Sequence, residues 1–483
     1  MMIDKLNILF IVNHIDFIDP QGIMQLSAIA KKKGHSTYLG ILTRENVLDK
    51  IKKLKPDILC YSASTGEHKF YFEFQKLVNK HFNIVSILGG AHPTFFPEDF
   101  NKSNMSAFCR AEGDNFFNEF LDCIANGRDF SSLDNIVTEK GINKLRPLIE
   151  DLDSLPFPDR DIFYKNTEMS WFPVKSFMFS RGCPYPCTYC FNHSYRKLYN
   201  FQMKPVRRTS VEYAIEQILS VKAKYPIHLI KFYDDIFTFP NDVWLEKFCK
   251  EYQARVKIPF HCASRCDILN EDIIKLLKIA GCYSINMSIE SGTPHLRNDL
   301  LKRNMTDEQI KNAFRLCEKY NIKTFCNSIL GLPYSSIKDD KQTIDLNVEC
   351  KVTFAEFPVL YPYPKTELGE YCKEKGYFEG DYTKLHFSYQ TRSPLSCFTE
   401  KQKDIQQNLS LLGTVIVWQP WLKSICYKFL IYLPVNKLFF YAYLLTKIYL
   451  IKTKIYPHKL TLRQIFYLLK KSIFVDKAKH FEE

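Results

Sequence analysis

The sequence predicts an α/β protein in three parts. Residues 1–140 are expected to form a doubly wound parallel sheet, 176–365 a (β/α) barrel of six strand–helix units and 366–483 a mainly helical region, with 141–175 as linker. Three observations predict this. Short apolar runs alternate with helix-period segments through the first two parts, the pattern of a parallel sheet covered by helices. The rhythm breaks at Asp151-Leu-Asp-Ser-Leu-Pro-Phe-Pro-Asp159, an irregular, proline-punctuated stretch that marks a boundary. It stops again beyond residue 365, where strand-like runs disappear.

In the first part, Ile8–Val12 reads as a strand and Gly22–Lys33 as a helix, with Ile23, Leu26, Ile29 and Ala30 on one face and Gly34 ending it. Thr37–Leu39, Ile58–Ser62 and Ile84–Leu88 read as further strands, and Val47–Leu54 and Phe70–Lys80 as the helices between them. Ligands on such sheets bind beyond the carboxyl ends of the strands. Ser62 and the loop Gly89-Gly-Ala-His-Pro-Thr94 stand there, although a Gly-Gly after a strand serves equally as a tight turn.

In the second part the expected strands are Phe177–Ser180, Leu229–Tyr233, Phe260–Ala263, Ser284–Ile289, Lys323–Leu330 and Phe354–Leu360. Val211–Lys222, Asp272–Ile279 and Asp307–Lys319 are among the helices. Barrel enzymes carry their chemistry at the carboxyl ends of the strands. The polar residues there are Arg181, Asp234-Asp235, Ser264-Arg265 and Glu290-Ser-Gly292, with Asn327 within the fifth strand.

The run Ser180-Arg-Gly-Cys-Pro-Tyr-Pro-Cys-Thr-Tyr-Cys190 carries the most chemistry. Its spacing, C-x3-C-x2-C, brings three soft thiolate ligands within eight residues, which suits iron–sulfur or zinc. Pro184 and Pro186 bar a helix and leave a loop free to wrap a metal group. A closed zinc site would need a fourth ligand, for which His193 is the local candidate; three packed thiols in a tight turn are the plain alternative. Asp234-Asp235 suits acid–base work, Mg²⁺ or hydrogen bonding to a loop or ribose. Arg265 suits either a salt bridge with Asp267 or a bidentate carboxylate clamp. Cys262 and Cys266 read as packing residues.

With Tyr189 just before the third cysteine, this loop resembles the signature of the radical S-adenosylmethionine (SAM) superfamily. The resemblance implies that Cys183, Cys187 and Cys190 hold a 4Fe–4S cluster whose open iron binds SAM. One electron, from an external flavodoxin- or ferredoxin-type donor, then cleaves SAM to a 5′-deoxyadenosyl radical. It implies SAM contacts at Tyr189, Asp234, Arg265 and Glu290, and a partial (β/α)6 barrel. The first part, through Gly89-Gly-x-His-Pro-Thr94 and Ala111-Glu-Gly-Asp-Asn115, resembles the Rossmann-like cobalamin-binding domain that precedes many radical SAM barrels. Ser62, Gly89, Gly90, His92 and Thr94 are the cobalamin contacts this implies. One departure stands out. Many such domains ligate cobalt through Asp-x-His-x-x-Gly, whereas His14 lies eight residues before Gly22, so a lower histidine ligand is not expected; a domain that holds no cobalamin is the alternative.

Composition agrees with a large enzyme: 46% of the residues are apolar and the sixteen cysteines are too few and irregular for a disulfide scaffold. The N-terminus is charged and runs straight into a strand, unlike a signal peptide, so a reducing cytoplasm is expected. The third part is basic. No acidic residue lies between Asp404 and Asp476, a stretch holding ten Lys and Arg among many aromatics, in a chain of formal charge +13. Its longest clean apolar run, Leu438–Thr446, is far short of the roughly 20 residues of a transmembrane helix. Three readings compete: a helical lid over the barrel mouth, a peripheral contact with an anionic membrane surface, and nucleic acid. The helical periodicity of Leu438, Tyr441, Leu445 and Ile448 suggests a packed face and argues against nucleic acid. The function expected is radical methyl transfer to an unactivated carbon or phosphorus centre of a small-molecule or lipid-like substrate. Radical cyclisation, oxidation or rearrangement is the alternative, and a non-catalytic iron–sulfur or zinc scaffold the reading from another class.

Overall fold

The computed structural model describes residues 5–15, 18–382 and 392–467, so Lys470 and Lys471 of the basic stretch lie outside the described residues. The chain forms two compact units. One comprises the residues up to Phe172 and the segment from Lys459, the other Pro173–His458.

The first unit contains β1 (Asn7–Val12), α1 (Gln21–Lys32), β2 (Ser36–Ile41), α2 (Val47–Leu54), β3 (Ile58–Ser62), α3 (His68–Asn79), β4 (Val85–Gly89), α4 (Ala91–Phe95), α5 (Phe100–Ser103), β5 (Ala107–Cys109), α6 (Asp114–Ala125), β6 (Ile136–Thr138), β7 (Gly141–Ile142) and α7 (Asp161–Tyr164). The strands order as β2-β1-β3-β4-β5-β6-β7, parallel as far as β5 and antiparallel beyond it. Its strands are nearly continuous apolar runs because helices cover the sheet; Leu9, Ile11, Leu59 and Leu88 pack against Val47 and Ile51 of α2 and Phe74 and Val78 of α3. The strand order reverses between β1 and β3, which opens a crevice at their carboxyl ends. Arg160 closes a buried ion pair with Asp19 at 2.9 Å, and the Tyr164 hydroxyl donates to the same carboxylate, tying the α7 segment to the loop before α1.

The second unit contains β8 (Val174–Phe177), β9 (Ser180–Arg181), α8 (Phe191–Leu198), β10 (Arg207–Arg208), α9 (Val211–Lys222), β11 (Leu229–Phe232), α10 (Val243–Glu251), β12 (Phe260–Ser264), α11 (Glu271–Ala280), β13 (Cys282–Met287), α12 (Asp307–Lys319), β14 (Lys323–Asn327), α13 (Ile337–Glu349), β15 (Phe354–Glu356), α14 (Glu367–Glu374), α15 (Glu400–Trp418), α16 (Lys423–Lys428) and α17 (Lys437–Leu450). Six parallel strands run in the order β8-β11-β12-β13-β14-β15, and its two end strands do not pair with each other, so the barrel is partial. Side-chain caps start the helices: Ser210, Asp242 and Asn270 accept from the backbone of α9, α10 and α11, and Thr306, Ser336 and Thr399 form capping boxes on α12, α13 and α15.

Three details differ from the sequence expectation. The first barrel strand is Val174–Phe177, not Phe177–Ser180; Ser180 and Arg181 leave the sheet to pair antiparallel with β10. The last two strands end at Asn327 and Glu356, with isolated bridges beyond them between Glu290 and Ser328 and between Leu330 and Val359, and Glu290 has positive φ (65°). Finally, the face Leu438, Tyr441, Leu445 and Ile448 of α17 is exposed, and the packed face is Phe439, Tyr443, Thr446 and Leu450. Both stripes have helical period and both are apolar, so periodicity alone did not select between them.

The C-terminal helices are not a lid as a group. α14 does dock on the cysteine loop, where the Leu368 N–H donates to the Thr188 carbonyl. α15 instead runs along the edge strand β15, with Ser410 and Thr414 donating to the Phe357 and Ala355 carbonyls. The helical turn Ile451–Ile455 and Tyr456 fill the barrel interior near the strands' amino-terminal ends. There Ser284 donates to the Ile455 carbonyl and Tyr456 packs edge-on to His261.

The α15 contact makes a test. A Cβ on Gly413 would lie 2.7 Å from a Phe357 ring carbon and 3.1 Å from Ile344. Alanine in a helix interior gains about 1 kcal/mol of propensity over glycine, whereas overpacking costs about 1–3 kcal/mol. Phe357 is fully buried and has nowhere to swing. Gly413→Ala is therefore expected to lower stability by about 1 kcal/mol in denaturant titration; a gain would show that the contact yields.

Candidate active site

The cysteine loop runs from the end of β9 to the start of α8, where Cys190 is the residue before the first helical turn. Two adjacent carboxylates at the end of β11 hold it. Asp234 accepts from the Phe179 N–H at 3.0 Å and the Ser180 hydroxyl at 2.5 Å. Asp235 accepts from the Gly182 N–H and the Asn192 side chain. Burial raises the pKa of both carboxyls, that of Asp234 to about 6.

The three thiols line one cavity of about 160 Å³ together with Tyr189, Asp235, Arg265, Asn286 and Arg303. None is in a disulfide. Burial pushes Cys183 up to about 11 and Cys190 up to about 12. Thiols held neutral in this way become ligands only when a cation takes the place of their protons. Two buried guanidiniums face Cys187, with Arg303 Nη1 3.6 Å and Arg265 Nη1 3.8 Å from its sulfur.

Arg265 forms the bidentate pair with Asp267, at 2.9 and 3.0 Å, and donates to the Arg303 carbonyl at 2.6 Å, so the clamp its side chain offers is closed on the protein. Tyr185 lies beneath its guanidinium at 3.8 Å. Arg303 donates to the Ser288 carbonyl at 2.9 Å, and its buried Nε has no partner. Tyr189 donates to Glu290 at 2.8 Å. Burial raises the Glu290 pKa, and Arg303 opposes that shift.

The sulfurs are too far apart for one tetrahedral ion, which at Zn–S distances of about 2.3 Å would hold them roughly 3.8 Å apart. Among the described residues, the one set whose ligand atoms converge within 4.8 Å is His68, His92 and Asp99. His193, the candidate to close a zinc site, faces Glu367 at 3.3 Å. A multi-iron cluster fits the wider spacing, the soft donors and the adjacent positive charge. The unpartnered Arg303 Nε and Asn286 Oδ1 fit a polar ligand such as SAM beside it.

Of the expected SAM contacts, Tyr189 and Arg265 line this cavity and Glu290 bonds to Tyr189, but Asp234 is engaged behind the loop and Asp235 lines the wall instead. Strand alternation carried that signal. Ile230 and Phe232 face the helices, which puts Lys231, Tyr233 and Asp235 inside and Asp234 outside. Arg303 lies in a loop with no periodicity, and nothing in its sequence context marked it.

In the first unit, a cavity of about 230 Å³ occupies the β1/β3 crevice, lined by Val12, His14, Gly22, Ser62, Glu67 and Tyr71 among others. Ser62 is on its wall, and so is His14, despite the altered spacing to Gly22. Gly89 and Gly90 adjoin Ser62. At Gly90, with φ of 100°, a Cβ would lie 2.7 Å from the Ala63 carbonyl oxygen. His92 and Thr94 are buried away from this cavity; Thr94 donates to the Gly90 carbonyl at 2.7 Å and accepts from the Ala111 N–H at 2.9 Å, bracing the turn.

The His68, His92 and Asp99 cluster is not arranged for a metal. The two imidazoles stack with centroids 3.6 Å apart and planes 7° from parallel, so their in-plane lone pairs cannot meet at one ion. His68 Nδ1 accepts from the Gly66 N–H, which leaves the proton of the neutral ring on Nε2, and Asp99 already pairs with Lys102. Burial lowers the pKa of His68 to about 4 and of His92 to about 3, against the pull of Asp99. Both folded-state values lie below the unfolded value near 6.5, so the stability this stack contributes is present above about pH 6.5 and is lost as pH falls toward 4. His68→Phe keeps the stack without the titration. Its melting temperature is expected to fall less than that of the native protein between about pH 7.5 and pH 5; identical slopes would contradict this.

Residues 177–346 match the radical SAM superfamily and residues 15–121 the B12 binding domain. An uncharacterised methyltransferase of Pyrococcus horikoshii is 28% identical over 341 residues, covering 68% of this chain and 72% of the relative. The anaerobic magnesium-protoporphyrin IX monomethyl ester cyclase of Rubrivivax gelatinosus is 23% identical, covering 74% and 66%. The cytidylyl-2-hydroxyethylphosphonate methyltransferase of Streptomyces wedmorensis is 21% identical, covering 72% of each. The fold is shared with the radical SAM methyltransferase TsrM of Kitasatospora setae (TM-score 0.64, 15% identity, 76% of each chain) and with the cobalamin-dependent SAM radical enzyme OxsB (TM-score 0.67, 16% identity, 99% of this chain and 76% of that one). The thiol-lined cavity of a partial barrel, preceded by a doubly wound sheet with a crevice at its switch point, thus belongs to a radical SAM enzyme of the branch with an amino-terminal B12-binding domain, whose cofactors are a 4Fe–4S cluster, SAM and cobalamin.

Proposed function

We propose that the protein transfers a methyl group to an unactivated carbon or phosphorus centre of a small molecule, with Cys183, Cys187 and Cys190 holding the cluster. The observation that carries this reading is the presence of a B12-binding domain and a radical SAM domain in one chain. Relatives named as methyltransferases support it. When bound, the cluster and SAM supply hydrogen abstraction, cobalamin supplies a transferable methyl group, and an external one-electron donor supplies the reducing equivalent.

The chain's own residues have distinct parts in this. Asp235 fixes the loop through Gly182 and Asn192, so the three sulfurs keep their spacing. Arg265 and Arg303 present positive charge beside Cys187, which would offset the charge of an anionic cluster. Arg303 Nε and Asn286 Oδ1 are the buried groups with hydrogen-bonding capacity to spare for SAM. Tyr189 and Glu290 form a hydrogen-bonded wall. Ser62 lines the crevice where cobalamin would be met, and Gly89 and Gly90 act beside it by letting the turn after β4 pack closely on Ser62 and Ala63. A second reading, radical ring closure, is favoured by the cyclase relative.

Two experiments test this. Anaerobically reconstituted protein is expected to contain one 4Fe–4S cluster and to cleave SAM to 5′-deoxyadenosine under reduction, and alanine at Cys183, Cys187 or Cys190 should abolish both. Uptake of a single zinc and no iron would overturn the assignment. SAM carrying an isotopic label in its methyl group should then leave label in a product formed from extract of cells lacking the gene. A product that appears without label would favour ring closure or rearrangement.

A further inference from the structure

α17 has two apolar faces, and among the described residues only one of them is packed. Phe439, Tyr443, Thr446 and Leu450 are buried in the second unit. Leu438 and Leu445 of the opposite face are 73% and 69% exposed, with Tyr441 and Ile448 beside them about half exposed. The outward stripe of a helix packed on a soluble domain is normally polar. The exposed apolar surface continues in the connection between α15 and α17, where Trp421 is 75% and Phe429 65% exposed. Trp418 at the end of α15 meets Tyr449 of α17, their rings 5.6 Å apart, which links the two segments.

Charge says what covers this surface. Lys428, Lys437, Lys452 and Lys454 lie within or next to it and form no ion pair among the described residues, and no acidic residue occurs between Asp404 and Asp476. Lys423 and Lys447 pair with Asp345 and Glu356 of the barrel. A second copy in an isologous contact would set lysine against lysine with no carboxylate of the patch to answer them. Nucleic acid would leave Leu438, Leu445 and Ile448 without stacking partners. An anionic bilayer satisfies both features at once, with apolar side chains in the interfacial layer and lysines at the headgroups. No helix of the described residues is long and apolar enough to cross a membrane, so the contact is one of lying on the surface.

We propose that the exposed face of α17 and the Trp418–Phe429 segment dock the enzyme on an anionic lipid surface. The docking does not rest on the methyl-transfer reading, because it is measured without turnover. The full-length protein is sedimented with vesicles of phosphatidylglycerol and phosphatidylcholine in equal parts, and with phosphatidylcholine alone, at low and high salt. Binding to the anionic vesicles should exceed binding to neutral ones and weaken at least about tenfold at high salt. The Leu438→Glu/Leu445→Glu double variant should lower it at least about tenfold while leaving the melting temperature unchanged, since both side chains are in solvent. Lys428→Glu/Lys437→Glu should lower it and flatten its salt dependence. Equal pelleting with both vesicle types, or with neither, would overturn the proposal. So would a lipid-free dimer that the leucine variant dissociates, or a single-stranded DNA complex that it abolishes.

Discussion

Three thiols gathered in one cavity, with two buried guanidiniums against Cys187, are the constraint around which the second unit is built. Charge buried without a partner is costly, and each arginine meets that cost differently. Arg265 closes on Asp267 and stacks over Tyr185, while Arg303 is offset by nearby Glu290 and keeps one donor unpartnered. The loop that presents the sulfurs has no regular structure of its own. It is held by Asp234 from behind, by Asp235 from the cavity wall, and at Thr188 by the Leu300 carbonyl and α14. Position along a barrel explains the division of labour: alternate residues at the end of β11 face opposite ways, so two neighbouring aspartates anchor two different parts of one loop.

Much of this was legible in the sequence, where local chemistry dictates it. The strand–helix rhythm follows from burial of a parallel sheet on both faces, and the cysteine spacing from the needs of soft ligands, so both could be read from residue order. Partners brought together from afar could not. Arg303 meets Cys187 across 116 residues, and no pattern in its own loop signals that meeting. Arg265 was read as either clamp or salt bridge, and the structure has the salt bridge with Asp267. The apolar alternation of β11 carries the parity that sets Asp235 on the cavity side and Asp234 behind the loop. His92 and Thr94 are contacts implied by the resemblance to a cobalamin-binding domain, but in α4 (Ala91–Phe95) both are buried in the fold and neither lines the crevice.

The C-terminal helices show the limit of periodicity as evidence. A stripe of apolar residues establishes that a helix has a face, not that the face is covered. In α17 both stripes qualify, and the neighbouring strand β15 engages only one, through the Tyr443 hydrogen bond and the Lys447 ion pair to Glu356. The same helices seal the open edge of the partial barrel, which frees it from the exposed backbone groups that would otherwise template aggregation.

The most direct test of the central claim is metal analysis joined to electron paramagnetic resonance of the reduced protein, with and without SAM. The account predicts about four irons per chain, a cluster signal in the reduced state and a change in that signal when SAM is added. A single zinc, or a cluster signal indifferent to SAM, would contradict it.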